Sequence, residues 1–134
     1  MAAEDGSAQT ARIRLVGIDA PESANHDASK NTPEGAEATE YLRSILPAGT
    51  DVYLQQDVTD VDKYGRLLRY VWLELPDDPD DAAELALKML NARIVADGYA
   101  DTMHYEPDVR YASELEMLKE RAVSEGLGVS RLWS

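Results

Sequence analysis

The chain has 134 residues, no cysteine, and 26 acidic against 13 basic residues, for a formal net charge of −13. Its length fits one domain with its own core; the lack of thiols excludes a disulfide framework, a thiolate metal site and a cysteine nucleophile, and no apolar window is long enough to span a bilayer. A protein of this sign repels polyanions at long range, so such a ligand requires bases concentrated in one place, where screening over about 8–10 Å limits the repulsion.

In chain order, Asp5-Gly6 is a hairpin-turn signal, and the strand leaving it would run over 9–18. Its partner would lie before residue 4, so the chain is expected to begin without its first strands. The first ten residues have neither a basic start nor an apolar run, so no export signal is expected. Residues 12–23, RIRLVGIDAPES, read as a strand in which Ile13, Leu15 and Gly17 alternate with Arg14, Val16 and Ile18. Pro21, with its fixed φ and no amide hydrogen, ends the strand and gathers Asp19 and Glu22 at its edge. Arg14 and Asp19 are an odd number of residues apart and would face opposite sides, so a bend is required, and Gly17 is the place for it.

Residues 23–30 read as a polar loop, in which His26 is given no role. Thr32-Pro33-Glu34 starts a helix, with Thr32 as cap and Pro33 in the first turn, and Ala38, Tyr41, Leu42 and Ile45 form its apolar face. A strand over 50–57 follows, then a connection over 58–64, where Asp57, Asp60 and Asp62 read as a solvated acidic turn. Gly65 opens a strand over 66–75. After an acidic, proline-broken loop, Asp81 can cap one helix running from 82 to Gly98, with Leu85, Met89, Leu90, Ile94 and Val95 along its stripe. A loop over 100–108 carries Met103, His104, Tyr105 and Pro107. The last helix, 109–124, turns Tyr111, Leu115, Leu118 and Ala122 inward, and Leu132-Trp133 would pack back on the domain. The pattern predicts a single α+β domain over 1–134 with no repeat and no linker.

Taken alone, Asp19, Pro21 and Glu22 make a turn with solvated acids as readily as a site. With the second stretch 62–75, DKYGRLLRYVWLEL, they resemble the staphylococcal nuclease (thermonuclease-like) family. The matching residues are Arg14, Leu15, Asp19, Pro21 and Glu22, then Asp62, Lys63, Tyr64, Gly65 and Arg66. Residues 91–100, NARIVADGYA, and the run from Ser113 to Trp133 extend the likeness over 12–134. It implies a small five-stranded β-barrel of the oligonucleotide-binding type with three helices, of which this chain would supply only part of the first half. It also implies a calcium-dependent nuclease acting on single-stranded or loosened DNA and on RNA, in a secreted or cell-envelope setting.

Phosphodiester hydrolysis needs a positioned water, a base, and positive charge around the phosphorus. Glu22 is the candidate base. Asp19 and the backbone carbonyl of Ala20 would hold Ca²⁺, a hard cation that takes several oxygen ligands. Arg14 and Arg66 would clamp phosphate oxygens, which planar guanidinium groups do well. The resemblance gives Lys63 and Tyr64 phosphate contacts, and Tyr105 would either stack on a base or pack. Ala20 stands where the family's nuclease often has threonine, and the family's upstream Gly-Asp-Thr does not occur. Two other readings therefore stay open: a catalytically weak or inactive binding module, and self-association through an exposed barrel edge.

Overall fold

The computed structural model describes residues 10–19 and 33–130. Within them the order is β1 (Ile13–Leu15), β2 (Ile18–Asp19), α1 (Pro33–Ile45), β3 (Tyr53–Gln55), β4 (Leu67–Trp72), α2 (Ala82–Lys88), α3 (Leu90–Ala96), β5 (Asp101–Thr102) and α4 (Ala112–Glu125). The architecture is mixed α+β, as expected. β4 is the centre of a three-stranded sheet, parallel to β1 on one side and antiparallel to β3 on the other, while β2 pairs antiparallel with β5.

Two expectations are corrected. The described strands form two separate sheets, so no closed barrel exists among the described residues. Among the described residues four helices are present rather than three, because the helix expected from 82 to 98 is broken at Met89, which is extended at φ −94° and ψ 125°. No glycine or proline causes the break. Met89 instead forms a bridge with Trp72 at the end of β4, and the Leu73 amide donates to the Lys88 carbonyl at 2.7 Å. Pairing with the sheet thus takes Met89 out of a pattern that favours helix throughout.

Gly17 provides the required bend. With φ +82° it closes a turn between β1 and β2, and the chain passes there from the sheet of β4 to the sheet of β5. Asn91, fully buried, holds this junction. Its Oδ1 accepts the Val71 amide at 2.9 Å, and its Nδ2 donates to the carbonyls of Val16 at 2.9 Å and Arg69 at 3.3 Å. The side chain therefore acts as an extra rung where the β1–β4 ladder ends.

The core lies between β4 and the helices α3 and α4. Leu68, Tyr70, Val71 and Trp72 of β4 meet Leu90, Ile94, Val95, Leu115 and Leu118, all buried. Burying one such leucine is worth about 1.5–3 kcal/mol. Tyr111, just before α4, sets its ring edge-on to Tyr70 at 4.7 Å and donates its hydroxyl to Gln55 at 3.1 Å.

The acids read as a solvated turn are mostly tied down. Asp57 accepts from the Tyr70 hydroxyl at 2.7 Å and the Arg110 amide at 3.0 Å, and Asp60 pairs with Arg69 at 2.6 Å. Asp108 is buried, and its Oδ1 accepts the amides of Val58 at 2.9 Å and Thr59 at 2.8 Å. Desolvation pushes the Asp108 carboxyl up, and these amides outweigh it and hold the group below its ordinary 3.8. The connection over 58–64 is thus fastened to the start of α4 at one end, and its other end is the site turn.

Candidate active site

One wall of the cleft is the tight turn between Asp62 and Arg66. The Gly65 amide donates to the Asp62 carbonyl at 3.1 Å, the Asp62 amide donates to the Arg66 carbonyl at 2.9 Å, and Gly65 takes φ +79°. This is a type I turn closed by a left-handed glycine, the geometry that Asp-x-x-Gly favours. Asp62 Oδ1 accepts the amides of Tyr64 at 2.8 Å and Arg66 at 2.9 Å, while Oδ2 accepts Arg66 Nε at 2.6 Å.

The Asp62 side chain is 6% exposed and that of Arg66 35%. Desolvation raises the Asp62 carboxyl; the Arg66 amide and guanidinium and the Tyr64 amide outweigh it and hold the acid below its ordinary 3.8. An ionised Asp62 therefore fixes Arg66 by its inner nitrogen, and Arg66's two terminal amino groups have no partner among the described residues. Lys63 Nζ and Arg66 Cζ lie 5.2 and 5.5 Å from the Tyr64 ring centre. Arg12 donates to the Tyr64 carbonyl at 2.8 Å and ties the tip of the turn to the β1 side.

The other wall comes from β1, the Gly17 turn and the segment after β5, joined by the Met103 amide donating to the Gly17 carbonyl at 2.8 Å. Arg14 Nη1 donates to the Leu15 carbonyl at 2.8 Å and Nη2 to Met103 Sδ at 3.3 Å. Among the described residues no carboxylate pairs with it. Arg14, Lys63, Tyr64, Arg66 and Tyr105 all line one cleft of about 410 Å³, with Leu68 also in its lining. The volume is that of a small-molecule or nucleotide site. Three cations and one acid line it, a local excess of positive charge on a chain of net charge −13.

The other expected residues lie apart or outside. Asp19 is exposed at the end of β2, directly opposite Asp101 of β5, whose Oδ1 is 3.2 Å from Lys119 Nζ. It does not line the cleft. Ala20 and Glu22 lie outside the described residues, as do Pro21, Thr32, His26 and Trp133. Among the described residues no three acidic or histidine side chains converge. Asp19 alone does not supply the several oxygens that calcium takes.

Three residues were missed. Asp62 was legible in principle, since Asp-x-x-Gly marks the turn and Arg66 stands four residues on. Asn91 was visible only as an oddity in an apolar helix. Nothing in the sequence marked Met103.

Residues 12–134 match the family model described as staphylococcal nuclease homologue. The chain is 29% identical over 119 residues to the thermonuclease of Staphylococcus hyicus, covering 89% of this chain and 61% of that protein. It is 29% identical over 125 residues to the thermonuclease of Staphylococcus intermedius, covering 93% and 66%. With the endonuclease YhcR of Bacillus subtilis the identity is 31% over 102 residues, covering 73% of this chain and 8% of that protein. The chain thus spans less than two thirds of either thermonuclease. With the family model matched over nearly its whole length, the chain belongs to the staphylococcal nuclease homologue family.

Proposed function

We propose that this chain is a nuclease that hydrolyses phosphodiester bonds of single-stranded or loosened DNA and of RNA. The observation that carries the reading is that Arg14 and Arg66, from two distant parts of the chain, line one cleft together with Lys63 and Tyr64. In this reading the two guanidinium groups bind the non-bridging oxygens of one phosphate and stabilise the charge that grows on them as water attacks. Arg66 is already oriented by Asp62, so binding costs it little side-chain freedom. Lys63 draws in the strand, and the exposed rings of Tyr64 and Tyr105 offer faces for bases. Glu22 takes the proton of the attacking water, a role that rests on the family resemblance alone. Calcium, with Asp19 and the Ala20 carbonyl among its ligands, belongs to the proposal on the same ground; when bound it would neutralise phosphate charge.

The test is cleavage of heat-denatured DNA and of RNA with Ca²⁺ and with chelator, with Glu22→Gln as the control for contaminating nuclease. Activity that needs calcium and is lost in Glu22→Gln supports the proposal. Binding without cleavage moves the function to a nucleic-acid binding module, and neither binding nor cleavage sinks both. The net charge of −13 adds a signature: association should be slow at low salt, where long-range repulsion is unscreened.

A second reading is self-association along β3. This strand ends the described three-stranded sheet, and Tyr53 and Leu54 on it are 48% and 47% exposed. A monomer at high concentration in size-exclusion chromatography would remove it.

A further inference from the structure

We propose that Met103 is an oxidation site through which a peroxide controls the availability of Arg14; the consequence for activity rests on the nuclease reading above. The observations are the contact from Arg14 Nη2 to Met103 Sδ at 3.3 Å, the place of Met103 in the cleft lining, and its 39% exposure. A thioether is a weak acceptor, so this contact orients the guanidinium while leaving it free to turn to a phosphate. Arg66, by contrast, is held by a carboxylate whose chemistry peroxide does not change.

Hydrogen peroxide reaches Sδ through the open cleft. One peroxide oxygen forms the S–O bond as the O–O bond breaks, the sulfur loses two electrons, and the other oxygen leaves as water with both protons. The product oxygen sits on the atom that already accepts from Arg14. A sulfoxide oxygen is a much stronger acceptor than a thioether, and its bond to a guanidinium is charge-assisted. Arg14 is then tethered within its own wall, between the Leu15 carbonyl and the sulfoxide. A phosphate must displace that tether to bind, so oxidation lowers both affinity and rate. Methionine sulfoxide reductase reverses the change.

The chain contains its own controls. Met89 is fully buried, and Met117 on α4 is 52% exposed but does not line this cleft. Peroxide should therefore modify Met103 and Met117 and spare Met89.

The experiment treats the full chain, Met103→Leu and Met117→Leu with hydrogen peroxide, locates the sulfoxides by peptide mass spectrometry, and compares each variant with its own untreated form. Two readouts are taken: binding of a fluorescein-labelled single-stranded DNA 12-mer, and the NMR signal of the Arg14 Nε–H group, assigned through Arg14→Lys. Wild type and Met117→Leu should lose roughly tenfold in DNA affinity, regained on reductase treatment, while Met103→Leu keeps its own affinity. The Arg14 signal should shift only where Met103 is oxidised. Equal loss in Met103→Leu, or an Arg14 signal that does not move when Met103 is a sulfoxide, overturns the proposal. If the untreated chain neither binds nor cuts DNA the nuclease reading fails, and the Arg14 signal still decides whether the sulfoxide captures the arginine.

Discussion

Arg66 enters the cleft from a short turn whose own aspartate holds it, whereas Arg14 enters from a strand that Asn91 positions from 75 residues beyond Val16. The first wall is local: Asp62 makes three bonds to Tyr64 and Arg66, and all of them lie within five residues. The second wall is assembled from β1, the Gly17 turn and the segment after β5, with Asn91 of α3 holding the junction, and its arginine meets a carbonyl and a thioether rather than an acid. A guanidinium fixed by a carboxylate is preorganised but part of its charge is already used; one held by uncharged acceptors keeps its charge but depends on the fold for its place. The cleft combines one of each.

The largest expected effect of breaking this contrast is on rate. Arg14→Ala and Arg66→Ala should each lower cleavage of denatured DNA by roughly 10²–10³-fold, the usual cost of removing one donor to developing negative charge. They should differ in stability. Arg14→Ala leaves no buried partner behind and should keep the urea midpoint, whereas Arg66→Ala strands the nearly buried Asp62 carboxylate and should lower it. Equal midpoints would erase the distinction between the two arginines.

Asn91→Ala tests the tertiary wall alone. It removes the acceptor of the Val71 amide and the donor to two carbonyls, all in the interior, and should cost about 1–3 kcal/mol in urea unfolding. In protein that remains folded, the loss of DNA affinity should be traceable to Arg14: the same substitution made in Arg14→Ala should cost less affinity than it does in wild type.

Each wall also contains a glycine at positive φ, and the pair gives a finer comparison. Gly65→Ala meets no atom within 4 Å, so its cost is the left-handed backbone, about 1 kcal/mol. At Gly17 a Cβ would lie 2.7 Å from Leu115 Cδ1, so a buried side chain of α4 must move as well. Gly17→Ala should therefore destabilise by about 1–3 kcal/mol, the larger of the two. Thermal unfolding of the two variants side by side checks the order.

At neutral pH the smallest effects come from the acids. Asp62 and Asp108 both titrate below their ordinary 3.8 in the fold. A carboxyl lowered by folding adds stability above its unfolded pKa, and that stability is lost as the pH falls through the lower folded value. The unfolding midpoint should therefore vary little on their account above about pH 5 and decline below about pH 4. Asp62→Asn should flatten part of that acid decline and lower the cleavage rate about tenfold by loosening Arg66. An unchanged acid limb in Asp62→Asn and Asp108→Asn together would show that neither acid is held as the structure has it.

By itself the sequence determined what depends on near neighbours. The apolar spacing of Tyr111, Leu115, Leu118 and Ala122 placed α4 and its inward face, and Asp81 the start of α2. The residues of the 62–66 turn were legible for the same reason, because Asp, Gly and Arg at those offsets encode the turn locally. Tertiary structure decided the rest. It broke the helix at Met89, since Trp72 offered that residue a strand partner; it tied Asp57, read as a solvated acid, to the Tyr70 hydroxyl, and it buried Asp108 against the amides of Val58 and Thr59. It also brought Met103 to Arg14 across 89 residues, a contact that no spacing rule reaches because neither residue's neighbours encode the other's position.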